Sequence, residues 1–274
     1  MVSSNATPHW PQIGDILHNH DGYRPPISDE LEGASLEIRN GDERFILNFR
    51  EGRSLEWVVP HRETLAHFRY EALRVRERRF FVSLVDQPDI LSVACLWIDL
   101  DAGACSIVQV FFDDRCLQSL DLMTRVERTG RQSVARIEVN AYTIGDAQPH
   151  SVEDLGDLIG AYMRFQYSDT HIYDHYYVSG QNYLWYCWNG PDAGLGELEE
   201  ARYVALGDDL YLVVWSEKLL PCAGITVEDH LAMASFGAIV GVDSGDWTLQ
   251  RALVGSRMER LAHIDPPSTG DALR

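Results

Sequence analysis

The chain has 274 residues, with 42 acidic side chains against 23 basic ones and a formal net charge of −19. A surplus of that size repels phosphate backbones and anionic lipid, which sets nucleic acid and membrane surfaces aside as partners. Lys218 is the one lysine and follows Glu217, so no phosphate loop ending in Gly-Lys exists, while a 45% hydrophobic composition is ample for a buried core.

Residues 1–22 lack the basic start and apolar stretch of a secretory signal, and no run reaches the roughly 20 apolar residues of a membrane span. The five cysteines, Cys95, Cys105, Cys116, Cys187 and Cys222, are odd in number and include no C-x-x-C pair. That usage indicates free thiols in a reducing cytoplasm, where the Asn5-Ala6-Thr7 glycosylation match has no meaning. Short runs of aromatic and β-branched residues then follow, each ended by Gly, Asp or Asn: 44–49, 79–85, 93–100, 172–178, 183–188, 209–216 and 238–242. Asp99-x-Asp101 reads as a hairpin turn, and short helices are expected over 63–76 and 222–235. Strands so closely spaced predict an all-β, antiparallel fold.

The chain also repeats itself. Leu31-Glu32-Gly33-Ala34 returns as Leu158-Ile159-Gly160-Ala161, 127 residues on, and 49–57 falls on 177–185. Phe81-Val82-Ser83-Leu84 matches Tyr211-Leu212-Val213-Val214 at an offset of 130, and Asp101-Ala102-Gly103 matches Asp243-Ser244-Gly245 at 142. A rising offset predicts loop insertions in the second copy. Two similar β units are therefore expected, at 28–140 and 155–262, with a linker over 141–154 and tails at 1–27 and 263–274.

Alternate residues of a strand share a face. His171, Tyr173, His175 and Tyr177 fall on one side, as do Tyr183, Trp185 and Cys187, and Tyr211, Val213, Trp215 and Glu217. The other side of the last run carries Leu210, Leu212, Val214, Ser216 and Lys218. A face of His, Tyr, Trp and Glu makes a poor dry core but a good wall for a wet or ligand-filled cavity. The first copy reads Glu43, Phe45, Leu47 and Phe49, then Leu55, Trp57 and Val59, with Val85 and Gln87 opposite Trp215 and Glu217. It is largely apolar, so the cavity is expected in the second unit. His171 and His175 lie roughly 13 Å apart on a strand and cannot share an ion, so neither a metal nor a cofactor is expected. Acid–base chemistry needs neither: histidine titrates near neutral pH, and burial raises the proton affinity of Glu217 or Tyr173. No G-x-S-x-G elbow or catalytic-thiol signature is present, and Lys218 is expected as a solvated rim residue. The Gly-rich stretch 189–196 is expected as a loop at a barrel mouth.

At these residues the sequence resembles the molybdenum cofactor biosynthesis protein F (MoaF) family. The matching pieces are Asp157-Leu158-Ile159-Gly160, His171-x-Tyr173-x-His175-x-Tyr177 and Tyr183-x-Trp185-x-Cys187. Leu210-Tyr211, Trp215-x-Glu217-Lys218 and Gly237-x-Ile239-x-Gly241 continue them in order. The resemblance implies two tandem antiparallel calycin-like, lipocalin-type barrels. Lipocalin-like relatives such as phenolic acid decarboxylases and cofactor-free cyclases work on small acids or polyenes. The expected function is cofactor-independent isomerisation, cyclisation or decarboxylation of an aromatic or polyunsaturated metabolite. His175 and Glu217 would transfer protons, Tyr173 and His171 would orient the substrate, and Tyr177, Tyr183, Trp185, Cys187, Tyr211 and Trp215 would bind it. The alternatives are a non-catalytic carrier or sensor, or an accessory protein of molybdenum cofactor biosynthesis. Exposed β edges leave room for a homodimer.

Overall fold

The computed structural model describes residues 13–18, 20–60, 64–85, 91–112, 121–147, 155–243 and 246–265. Eight strands come first: β1 (Ser35–Asn40), β2 (Glu43–Arg50), β3 (Ser54–Val59), β4 (Thr64–Arg76), β5 (Arg79–Val85), β6 (Ser92–Asp99), β7 (Ala104–Phe111) and β8 (Arg136–Ile144). Eight more follow: β9 (Ala161–Ser168), β10 (His171–Ser179), β11 (Asn182–Asn189), β12 (Gly196–Gly207), β13 (Leu210–Ser216), β14 (Cys222–Asp229), β15 (Ala234–Val242) and β16 (Leu249–His263). Each set is antiparallel and closed on itself, β8 returning to β1 and β16 to β9, so the chain folds as two tandem eight-stranded barrels. The strand period explains the folding locally: along β9, Ala161, Met163, Phe165 and Tyr167 are buried while the residues between them are half-exposed.

Among the described residues the helices are short, α1 (Ile13–Leu17) and α2 (Leu122–Thr129). Asp121 caps α2 by accepting from the Thr124 N–H, and Gly130 ends it with φ of 71°. The helices expected over 63–76 and 222–235 are corrected: residues 64–76 form β4, and 222–229 form β14. Pairing on both sides overrides the local preference of their Ala, Leu and Glu residues. Gly224 in β14 is needed there, because a Cβ would sit 2.1 Å from the Trp215 ring.

Strands β6, β13 and β14 are buried at every position. One face points into a barrel and the other into a seam between barrels, which is why 210–216 reads as a nearly continuous apolar run. Leu73, Phe81 and Trp97 of barrel 1 meet Leu212, Val214 and Ile225 of barrel 2 in that seam. Ion pairs flank it: Arg76 makes two 2.6 Å hydrogen bonds to Asp229, and Arg251 reaches Glu71 at 2.7 Å and Ser83 at 2.8 Å.

The repeat is real, but two of its expected matches shift. The β4–β5 and β12–β13 hairpins open β5 at Arg79 and β13 at Leu210, an offset of 131, so Leu84 rather than Val85 is the counterpart of Trp215. A one-residue slip exchanges barrel interior for seam. Asp99 accepts from the Asp101 and Ala102 N–H groups as Asp229 does from Leu231 and Ala232. The turn at 101–103 therefore corresponds to 231–233, and Asp243 opens the later β15–β16 connection. There the longer connection belongs to the first copy, which carries α2. Gln87, Cys116, Ser244, Gly245, the Asn5-Ala6-Thr7 match, residues 148–154 of the linker and the end of the C-terminal tail lie outside the described residues, while 141–144 of the expected linker complete β8.

The segment before β1 crosses barrel 2. Ile13 and Ile16 belong to the core of that barrel, and Gly241 admits Ile13, since a Cβ there would lie 2.7 Å from it. Gly255 likewise lets the Arg24 backbone approach, and Ile27 bridges to Leu73 of barrel 1.

Candidate functional site

The two interiors differ as the sequence comparison expects. Barrel 1 is filled by Leu36, Ile38, Leu47, Phe49, Phe80 and Leu96 among others, all buried. Barrel 2 encloses His175, Tyr177, Tyr183, Trp185, Glu199 and Glu228 along with Met163 and Phe165. Polar heads in such a place need partners, and the partners sort into two clusters, one at each end.

At one end a cavity of about 40 Å³ remains. Tyr173, His175, Tyr183, Trp185, Trp215 and Glu217 line it, joined by Ile16 and His20 from the N-terminal segment, Tyr167 of β9, Asp192 of the β11–β12 loop and Ile239 of β15. That volume holds a few water molecules at most in this closed arrangement. His171 sits beside it, its ring 4.7 Å from that of His20 and its Nδ1 within hydrogen-bond reach of the Ser168 and Thr170 hydroxyls. Cys187 lies behind Tyr173, next to Gly190. Tyr177 and Tyr211 are not brought to the cavity. They occupy the far end, where the Tyr177 hydroxyl donates to Glu228 at 2.6 and 2.7 Å and Tyr211 packs edge-on against His230.

Electrostatics divide the cavity groups by role. Burial, then the charges of Asp192 and Glu197, push the Glu217 carboxyl up to about 8, with a Trp215 hydrogen bond pulling against them. Burial carries the His175 ring down to about 3, its neighbour Asp174 opposing. That ring stacks on Phe165 with centroids 4.2 Å apart, so it is neutral and fixed at physiological pH. His20 is likewise lowered to about 3, by burial and then by His171. Tyr173 is held protonated by burial and by Asp192, to which its hydroxyl donates at 2.5 Å. Burial also raises the Cys187 thiol to about 12, so it is no thiolate.

Asp192, His20 and Ile16 were not among the expected site residues. Asp192 stands in the Gly-rich stretch read as a mouth loop, which was its only signal; His20 and Ile16 arrive from a segment that the strand pattern does not reach. Lys218 is also corrected. Its side chain is largely buried, with Nζ 3.9 Å from Glu197, instead of standing solvated at the rim. Among the described residues no three His, Cys, Asp or Glu side chains are grouped so as to hold a metal ion.

Residues 8–114 match the MoaF N-terminal domain and residues 152–264 the MoaF C-terminal domain. The Protein MoaF of Klebsiella aerogenes is 30% identical over 255 residues, spanning 86% of this chain and 88% of its own. This chain belongs to the MoaF family. The N-terminal match takes in α1, β1–β7 and the cavity residues Ile16 and His20, and the C-terminal match takes in the whole MoaF-type second barrel with the rest of the cavity lining. A solved structure from Burkholderia vietnamiensis, carrying a provisional β-lactamase name, covers 39% of this MoaF-family chain and 97% of its own at 14% identity. Its TM-score of 0.33 is too low to bear on fold or function. No helix among the described residues is long and apolar enough to cross a membrane.

Proposed function

We propose that barrel 2 of this MoaF-family protein binds a small organic ligand beneath its N-terminal cap and moves a proton on it with Glu217. One observation carries the reading: a buried carboxyl group, Glu217, faces a small aromatic-walled cavity in one barrel, while the interior of the other is filled by a mainly apolar core, and burial raises that carboxyl's proton affinity toward neutral pH. A carboxyl poised close to the working pH serves as acid in one direction and base in the other. Tyr173, fixed by Asp192, offers an orienting group, His171 stands at the entrance, and His175 provides a neutral ring surface that holds the wall in shape. Isomerisation, cyclisation and decarboxylation of an unsaturated metabolite all fit such a set, without a cofactor. The ligand enters only if the cap moves, because the closed cavity is smaller than any aromatic molecule.

A second reading follows from the family: an accessory or carrier role in molybdenum cofactor biosynthesis, with the same pocket and no turnover. One experiment separates the two. Small molecules extracted from the purified protein are identified by mass spectrometry and offered to the wild type and to Glu217→Gln. The catalytic reading expects turnover at saturating ligand to fall by about 10²–10⁴-fold in the variant. Binding without turnover in either protein leaves the carrier role, and equal turnover in both removes Glu217 from the chemistry.

A further inference from the structure

We propose that the cavity of barrel 2 recognises an organic cation, an alkylammonium or amidinium group, held between ring faces and paired with Glu217. The inference rests on the ligand-binding reading above and names the chemical class of that ligand.

Two independent features meet here. The first is the wall: the rings of Tyr167, Tyr173, Tyr183, Trp185 and Trp215 surround the cavity, and aromatic faces attract cations. The second is the charge of the lining: two carboxyl groups, Glu217 and Asp192, stand on the same wall as those rings.

The surroundings decide the charge of the occupant. No arginine or lysine lines the cavity, and Lys218 is engaged by Glu197. Its two histidines, His20 and His175, are both kept neutral by burial. An anion would meet Glu217 and Asp192 with nothing to balance it, and a purely apolar ligand would leave the Glu217 carboxyl without a counter-charge. A cation gives that carboxyl a charged partner and the ring faces a charge to attract. Burial, then the charges of Asp192 and Glu197, favour the protonated Glu217 carboxyl when the site is empty. Binding then breaks a carboxyl O–H bond, sends the proton to solvent and leaves a carboxylate against the ammonium group.

The test uses three probes of one shape and three charges, n-propylammonium, n-propanol and propionate, titrated calorimetrically into the full chain. Ile16→Ala is run in parallel, because it removes side-chain volume from the cavity wall. The expected result is binding of n-propylammonium at least about tenfold tighter than n-propanol, with proton release in buffers of different ionisation enthalpy and no propionate binding. Glu217→Gln should erase that preference and Glu217→Asp should keep part of it; having two variants guards against one failing to fold, checked by circular dichroism. Equal binding of amine and alcohol, or tighter binding of propionate, overturns the cation proposal and leaves the ligand-binding reading standing. No binding of any probe to either the wild type or Ile16→Ala overturns both.

Discussion

Glu217 lends itself to a pH test because its ordinary value is known and its shift is upward. Between about pH 4.5 and 8 the folded protein keeps a proton at Glu217 that the unfolded chain releases, so this group's contribution to stability falls as pH rises through that window. Asp192 and Glu197 face it with like charge and add to the effect. The Tm of Glu217→Gln measured against wild type should therefore rise from pH 5 to pH 8; a difference that stays constant would mean the carboxyl is solvated. His20 and His175 act in the opposite sense, their stability being lost as pH falls from 6.5 toward 3. Glu217 and His175 were readable in the sequence because strand alternation marks them; His20 was not, since it precedes the first strand. The slip at 81–84 was not readable: Phe80 and Phe81 are both large and both buried, one inside the barrel and the other in the seam, so the pattern holds no mark of face.

Elements owe their stability to packing more than to propensity, and α1 shows this most clearly. A helix of five residues does not persist by itself, so Ile13 and Ile16 hold it against barrel 2. Gly241→Val should push Ile13 out, and hydrogen exchange at residues 13–27 should then quicken while β15 and β16 stay protected. Unchanged exchange in that segment would show that Ile13 does not anchor the cap. The strand β14, read beforehand as a helix, teaches the converse. Its residues suit either structure locally, and only the ladders to β13 and β15 choose between them.

For the whole molecule the seam is the decisive feature. It buries a second face of β6, β13 and β14, so each barrel completes the other's core. Ile225→Ala, at a fully buried seam position, should cost about 2–5 kcal/mol and shift one common urea transition for both barrels. Two transitions, with only one of them moved, would show the barrels to be energetically separate. The net charge of −19 is the surplus left after every arginine is counted, while individual acids are paired at the surface and beside the seam, such as Asp229 with Arg76 and Asp174 with Arg164.

By itself the sequence determined that the chain is all-β, that one unit is used twice, and that the polar interior belongs to the second copy. Each of these is written in local alternation, turn residues and self-similarity, which need no knowledge of distant contacts. Tertiary structure alone decided which apolar faces meet in the seam, because both faces of those strands are hydrophobic. It also decided that Asp192, His20 and Ile16 close the cavity of Glu217 and Trp215, since loops and a preceding segment reach the barrel mouth through space and not through period. Whether a buried acid has a partner is likewise a property of the folded chain. In the sequence Glu197 and Glu199 look alike; in the barrel Lys218 Nζ lies 3.9 Å from Glu197, while Glu199 is wholly buried beside Glu197 and Glu217, and burial and those carboxyls raise its proton affinity.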